Sequence, residues 1–276
     1  MASSRREEMR KALREKIEYD QSHGGDSQMY SDIFQGVEGL QKWKCGGGKH
    51  IVDIIPYIAG DKDPQTKEGG TAHVLHIWVH QRVGANQATY VCPAINYKLP
   101  CPICEYREKL RSEDDYDEDL VKSLYPKHRN IYNIVCYDPK EEEKGVQVWD
   151  VADFFMGEKL RSISKLPDRG GKGGGFIYYA DPDEGKSIQF ERKGSGQQNT
   201  QFLGHQFVER DYTIDDVILE SAFQLDQIIT IPTYEELQNT FFGTDGGETA
   251  PPEETQEEAP PPEEEPSQEQ PKPSRL

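Results

Sequence analysis

Three cysteines and a histidine carry the clearest chemistry in the chain. They are spaced His80-(11)-Cys92-(8)-Cys101-(2)-Cys104 within HQRVGANQATYVCPAINYKLPCPIC. A Cys-x-x-Cys turn brings two thiolates to one ion without strain, and a third thiolate with an imidazole completes a tetrahedron. Zn²⁺ suits that mixture of sulfur and nitrogen donors, and four protein ligands leave no open position. One structural zinc is therefore expected. His73, His76 and His80 share the upstream strand, where His76 and His80 fall on one face at period two. His80 lies nearest the cysteines, and His76 is the alternative fourth ligand. Pro93, Pro100 and Pro102 stiffen the turns around the thiols. Cys45 and Cys136 stand apart, and Cys136, in an apolar run, is expected to be a buried free thiol. Five cysteines, three of them clustered, with no export signal argue for metal rather than disulfides.

Other chemistries find less support. Pro100-Cys101-x-x-Cys104 matches half of the zinc nucleobase-deaminase signature, which also needs a Glu two residues after an upstream His. Leu75, Trp78 and Arg82 occupy those positions. Neither Gly46-Gly47-Gly48-Lys49 nor Gly170-Gly171-Lys172-Gly173 is followed by Ser or Thr at phosphate-loop spacing, so both read as flexible loops. No catalytic triad or paired-carboxylate arrangement stands out, and a non-enzymatic role is expected.

A second pattern interleaves cations with aromatics, as binding to single-stranded nucleic acid requires: cations for phosphates, ring faces for bases. It occurs at Lys42-Trp43-Lys44. It recurs from Tyr125 through Lys127, Arg129 and Tyr132 to Tyr137. A third stretch is Phe176-Ile177-Tyr178-Tyr179 with Phe190-Glu191-Arg192-Lys193 facing it. Alternation sends Tyr178 and Tyr179 to opposite faces. The candidate DNA contacts are Lys42, Lys44, Lys127, Arg129, Tyr132, Tyr137, Tyr179, Arg192 and Lys193.

The elements that must position these residues are mostly short strands. His50–Ile58, His73–Val83, Asn130–Tyr137 and Val146–Val151 are β-branched or alternating runs, and the last two should pair around an acidic turn. Phe176–Ala180 and Ser187–Glu191 read as a further hairpin. Helices are expected over Glu105–Arg111, Asp153–Ser164 and Tyr234–Phe241. Residues 21–48 and the acidic stretch Glu113–Asp119 read as loop. Many short strands separated by turns predict a mainly β protein with peripheral helices, a small barrel or sandwich.

The ends differ from this body. Residues 1–20 read as a basic helical arm, with Ser4 and Glu7 as a capping box and Met9, Leu13 and Ile17 on one face. From Gly243 onward the chain is rich in Pro and Glu and too poor in apolar residues to order itself, so it is expected to be disordered. The net charge of −18 works against a nucleic-acid role. Residues 244–276 hold 10 acids and 2 bases, but the rest still holds 40 acids against 30 bases. Any DNA surface must therefore be a local patch. A flexible polyanion can compete with DNA for such a patch or serve as a docking handle. No apolar run reaches transmembrane length and the N-terminus has no apolar signal core, so a cytoplasmic protein is expected.

Taken in order, residues 40–243 resemble the T-even-type phage single-stranded DNA-binding, or helix-destabilising, protein family. The most specific part is Cys101-Pro102-Ile103-Cys104-Glu105. It is followed by a strand with Asp138-Pro139 and an acidic turn ending at Gly145, then by a closing helix with Glu235-Glu236-Leu237 and Phe241. A basic N-terminal segment and an acidic tail bracket the body, as in that family. The resemblance implies an OB-fold core spanning about 21–243 with an inserted zinc subdomain at about 73–111. His80, Cys92, Cys101 and Cys104 would be the ligands. It further implies cooperative, sequence-independent binding of single strands in phage DNA replication, recombination and repair. The N-terminal arm would touch the next molecule, and the tail would recruit polymerase, helicase-loading or recombination proteins. The competing reading is a zinc-stabilised recruitment module with no direct DNA role, which the acidic body favours.

Overall fold

Strand periodicity dominates the architecture. The computed structural model describes residues 33–34, 37, 39–84, 87–167 and 174–242. The expected arm at 1–20 and tail at 244–276 lie outside the described residues. Eleven strands occur among the described residues: β1 Gly48–Ile55, β2 Tyr57–Ile58, β3 Thr71–Ala72, β4 Leu75–Val83, β5 Ala88–Val91, β6 Lys127–Cys136, β7 Gln147–Ala152, β8 Lys165–Leu166, β9 Gly175–Phe176, β10 Lys186–Lys193 and β11 Gln201–Glu209. Seven form one sheet in the order β11-β10-β1-β6-β4-β5, with β7 also on β6. The pairings are antiparallel.

Two long strands are shared between partners. Gly48–Val52 of β1 pairs with β10, and Val52–Ile55 pairs with β6. Along β6, Lys127–Ile131 pairs with β4 and Asn133–Cys136 with β1, while Arg129–Ile134 carries β7 on its other side. The outer side of β7 is met in turn by the Gln41–Trp43 segment, through Trp43 N to Val148 O (2.9 Å) and Val148 N to Gln41 O (2.7 Å).

The strand alternation decides which residues reach which core. In β4, Leu75, Ile77 and Val79 enter one apolar cluster with Tyr57, Ile131, Val148 and Leu225. On the opposite sheet face Val52, Ile54, Tyr132, Ile134, Trp149, Ile188 and Phe190 pack beneath Trp43, Met156 and Leu160. Aromatic rings set that second core: Trp43 meets Trp149 edge-on at 4.9 Å, and Trp149 stacks on Phe190 at 5.4 Å. A buried ion pair sits at the far end. Asp53, fully buried, lies 3.6 Å from the Arg210 guanidinium and accepts from the hydroxyls of Tyr137 (2.8 Å) and Tyr212 (3.0 Å). Those hydrogen bonds make such a charge tolerable inside the protein.

The β6–β7 pairing around the acidic turn follows the sequence reading, and His50–Ile58 divides at Pro56 into β1 and β2. Two expectations are corrected. Phe176–Ala180 does not pair with Ser187–Glu191: Phe176 in β9 pairs with Lys165 in β8, and β10 forms its hairpin with β11. The strand β11 has no counterpart among the expected strands: all its residues are exposed or half-buried, so it lacks the alternating apolar signature. The helix expected from Asp153 begins at Gly157, because Asp153–Met156 form turns. The helix expected from Glu105 begins three residues earlier, at Pro102.

Candidate metal centre and polar strip

The four predicted ligands come together from separate elements. His80 points from β4, where the pairing to β5 breaks register between His80 and Val83. Cys92 follows β5 and stands at the N-cap of the Pro93–Tyr97 helix. Cys101 is the N-cap of the Pro102–Arg111 helix, and Cys104 lies in its first turn. Proline at the first position of both helices presets the backbone where an N–H would be unpaired in any case. Helix N-termini also favour negative charge, which suits thiolates.

The four ligand atoms lie within 4.8 Å of one another. Cys92 Sγ and Cys104 Sγ are 3.7 Å apart, and His80 Nε2 lies 3.4 Å from Cys101 Sγ and 3.6 Å from Cys104 Sγ. Metal–sulfur bonds of about 2.3 Å and metal–nitrogen bonds of about 2.0 Å give a tetrahedron with edges of roughly 3.5–3.8 Å. The donor set therefore fits a zinc-sized ion. The outer layer fits too. His80 Nδ1 donates to Leu124 O at 3.0 Å, which leaves the lone pair on Nε2. Leu124 is itself placed by the Glu118–Ser123 helix, which Asp117 caps by accepting from Asp119 N and Leu120 N. In the absence of a cation three thiols this close cannot all ionise. Hydrogen bonds from Cys101 and Cys104 hold the Cys92 thiol well below its ordinary value, while the bonds to Cys101 and Cys92 push Cys104 up. A divalent cation removes that conflict by drawing all three into the thiolate form.

This centre is larger than the expected 73–111 subdomain. Val83, Ile103, Leu124 and Leu237 are buried around the ligands, with Trp78, Tyr106 and Phe241 against them. Leu237 and Phe241 belong to the closing helix Tyr234–Phe242. Its N-terminus is capped reciprocally by Thr233 and Glu236, and Tyr234 Oη donates to Glu105 at 2.7 Å. Gly84 permits the approach. Its φ is +70°, and a Cβ there would come 2.6 Å from Thr240 O.

His76 is not in this centre. It shares a face of β4 with Trp78 and His80 but meets a different group, formed with His128 on β6 and Asp153 after β7. His76 Nδ1 bonds Asn130 Oδ1 at 2.8 Å. Asn130 Nδ2 donates to Asp153 Oδ1 (2.9 Å) and to Tyr132 Oη (3.1 Å). Arg161 grips Asp153 with two bonds of 2.8 and 2.7 Å. Burial raises the Asp153 carboxyl, but the Arg161 and Asn130 bonds and the His128 ring outweigh it and hold the group at about 2. His128 stacks on Trp78 at 4.7 Å, and burial holds its imidazole below the ordinary value despite Asp153. The sequence reading missed this strip because His128 and Asp153 reach His76 only through strand pairing. Cys45 and Cys136 are held up at about 12 by burial and are plain neutral thiols.

The predicted DNA contacts are scattered by comparison. Lys44, Lys127 and Lys193 are exposed. Lys42 lies over the Phe34 ring at 5.1 Å, and Lys193 lies 3.3 Å from Glu191. Arg129 pairs with Asp150 at 2.6 Å, and Arg192 donates to Cys45 O at 2.6 Å. The tyrosines require correction. Tyr132 is 1% exposed and belongs to the core, so it has no ring face to offer. Tyr137 is half-buried with its hydroxyl on Asp53. Tyr179 is turned inward, stacked on Phe207 at 5.3 Å with its hydroxyl 3.1 Å from His73. Trp43 is likewise core. The most exposed rings among the described residues are Tyr178 at 77%, with Phe154 and Phe176 at 60% each.

The chain matches no protein-family model and no curated protein. No helix among the described residues is long and apolar enough to cross a membrane.

Proposed function

We propose that this chain is a non-enzymatic, sequence-independent single-stranded DNA-binding protein, with one structural zinc at His80, Cys92, Cys101 and Cys104. In this reading the family resemblance noted above holds, and the sheet is the OB-type element. The sharing of β1 and β6 between partner strands supports that view of the sheet, since curled sheets of this kind pass long strands from one neighbour to another.

The observation that carries the reading is the set of exposed rings with cations against them. The Arg107 guanidinium lies 4.4 Å over Tyr125, and Lys159 lies 4.8 Å over the exposed Phe154. Tyr178 and Phe176 add open faces near the β8–β9 ribbon. Bases stack on such faces while neighbouring cations meet phosphates, so a body with an acidic total can still bind a strand locally. The basic arm at 1–20 would link neighbouring molecules, and the acidic tail at 244–276 would engage replication and recombination proteins in the cytoplasm of an infected cell.

The second reading is a zinc-stabilised recruitment module. Glu108 beside Arg107 and Glu158 beside Lys159 favour it, because they pair with the same cations. Anisotropy of labelled oligo-dT and of a matched duplex, each at two salt concentrations, separates the two. A DNA-binding chain takes up the single strand, ignores the duplex and loses affinity as salt rises, through counterion release. A chain that binds neither, even with residues 244–276 removed, is a recruitment module.

A further inference from the structure

The polar strip joining the two sides of the β4–β6 face holds two imidazoles and a carboxylate whose ligand atoms lie within 4.8 Å of one another. We propose that His76, His128 and Asp153 form a second cation site, distinct from the cysteine centre, for a divalent transition metal ion of the zinc, cobalt or nickel kind. The site stands on its own residues and does not draw on the DNA-binding reading.

Four observations support it. First, the donor set of two nitrogens and one carboxylate oxygen suits these ions rather than calcium or magnesium. Second, the outer layer presents the donors. Asn130 spends both N–H groups as a donor to Asp153 and Tyr132, so its Oδ1 must accept from His76 Nδ1, and the His76 lone pair falls on Nε2. That is how metal-bound histidines are ordinarily oriented. Third, His128 Nε2 is buried and finds no hydrogen-bond partner among the described residues, a costly state that a bound cation relieves. The His128 ring is held in place by its stack on Trp78, and its Nδ1 lies 3.3 Å from Asp153 Oδ2. Fourth, the helix that follows begins with a glycine where it must. A Cβ on Gly157 would collide with Asn130 Nδ2 and Asp153 Oδ1.

Arg161 now supplies the positive charge. Its guanidinium holds both Asp153 oxygens, yet its side chain is 53% exposed and free to swing into solvent. A metal ion and Arg161 therefore compete for one carboxylate, and removing Arg161 must tighten metal binding. That sign distinguishes a site from a merely structural network, in which losing Arg161 only loosens the fold. With three protein ligands, positions remain on the ion for water or an anion.

The test uses the full chain carrying one zinc, titrated with Co²⁺ and followed by absorption and by metal analysis. The expected result is one further equivalent of cobalt, with weak d–d bands, no thiolate-to-cobalt charge-transfer band and no zinc released. His128→Gln and Asp153→Asn should each abolish that equivalent while keeping the zinc, which also reports a folded protein. Arg161→Gln should tighten it by roughly tenfold, the scale of one charge-assisted hydrogen-bonded contact. Three results overturn the proposal: no cobalt beyond the zinc equivalent; a charge-transfer band that grows as zinc leaves, which is exchange at the cysteines; or uptake undiminished in both ligand variants, which is adventitious binding elsewhere.

Discussion

Stripping the metal from the cysteine centre should unfold part of this protein and leave the rest. The ligands tie β4, the end of β5 and two short helices, and Val83, Ile103, Leu124 and Leu237 rest directly on them. The aromatic core around Trp43, Tyr132, Trp149 and Phe190 shares none of those residues. The loss is therefore local. When free zinc stands at a hundred times its dissociation constant, binding contributes about 2.7 kcal/mol, roughly a hundredfold in the opening equilibrium of the unit that holds it. Amide exchange before and after chelation reads this directly. Protection should fall by about that factor in β5, the Pro102–Arg111 helix and the Tyr234–Phe242 helix. Protection in β7 and β10 should stay the same. The closing helix is the sharp part of the expectation, since it lies more than 120 residues beyond Cys104, the last of the four ligands, and packs on this unit through Leu237, Phe241, Phe242 and the Tyr234–Glu105 bond. An equal loss in β7 and β10, or no loss in the closing helix, would refute this account of what the metal supports.

Arg210→Met should lower stability by about 3–5 kcal/mol in urea denaturation, because it leaves buried Asp53 without its counter-charge; Asp53→Asn in the same chain should recover much of that loss. Tyr178→Ala should weaken oligo-dT binding by about 1–3 kcal/mol, the worth of one stacked base, whereas Tyr132→Phe should leave binding alone and cost about 1 kcal/mol of stability for the bond from Asn130. Asp153 sets an acid limb. Its folded carboxyl sits at about 2, below the unfolded value of about 3.9, so its contribution is complete above about pH 4 and disappears as pH falls through about 2. Acid unfolding of Asp153→Asn should lack that segment of the curve. Removing residues 244–276 should tighten single-strand binding by withdrawing a competing polyanion, and equal affinities for the two chains would end the self-competition idea.

The grouping of His80 with Cys92, Cys101 and Cys104 was legible because its information is local. Cys-x-x-Cys spacing, proline at the helix starts and the period of β4 all act within a few turns of chain, and they bring Cys92, Cys101 and Cys104 to His80 with little help from elsewhere. The Cys136 thiol and the β6–β7 pairing were legible for the same reason: apolar runs bury themselves, and a short acidic turn joins neighbours. The sequence alone left open which face a strand residue takes and which strand it meets. Tyr132 and Tyr179 had the composition of stacking residues, yet Tyr132 packs into the core and Tyr179 stacks on Phe207. Phe176 pairs with β8 rather than β10, and β11 completes the sheet with a polar pattern that gives no period-two signal. His76 looked like a spare zinc ligand until β6 brought His128 opposite Trp78 and the chain beyond β7 brought Asp153 to both. Residue type and spacing settle what chemistry a segment can do, because those depend on bonds along the chain. Partnership across the sheet depends on how the whole set of apolar surfaces is buried at once, and only the tertiary structure decides that.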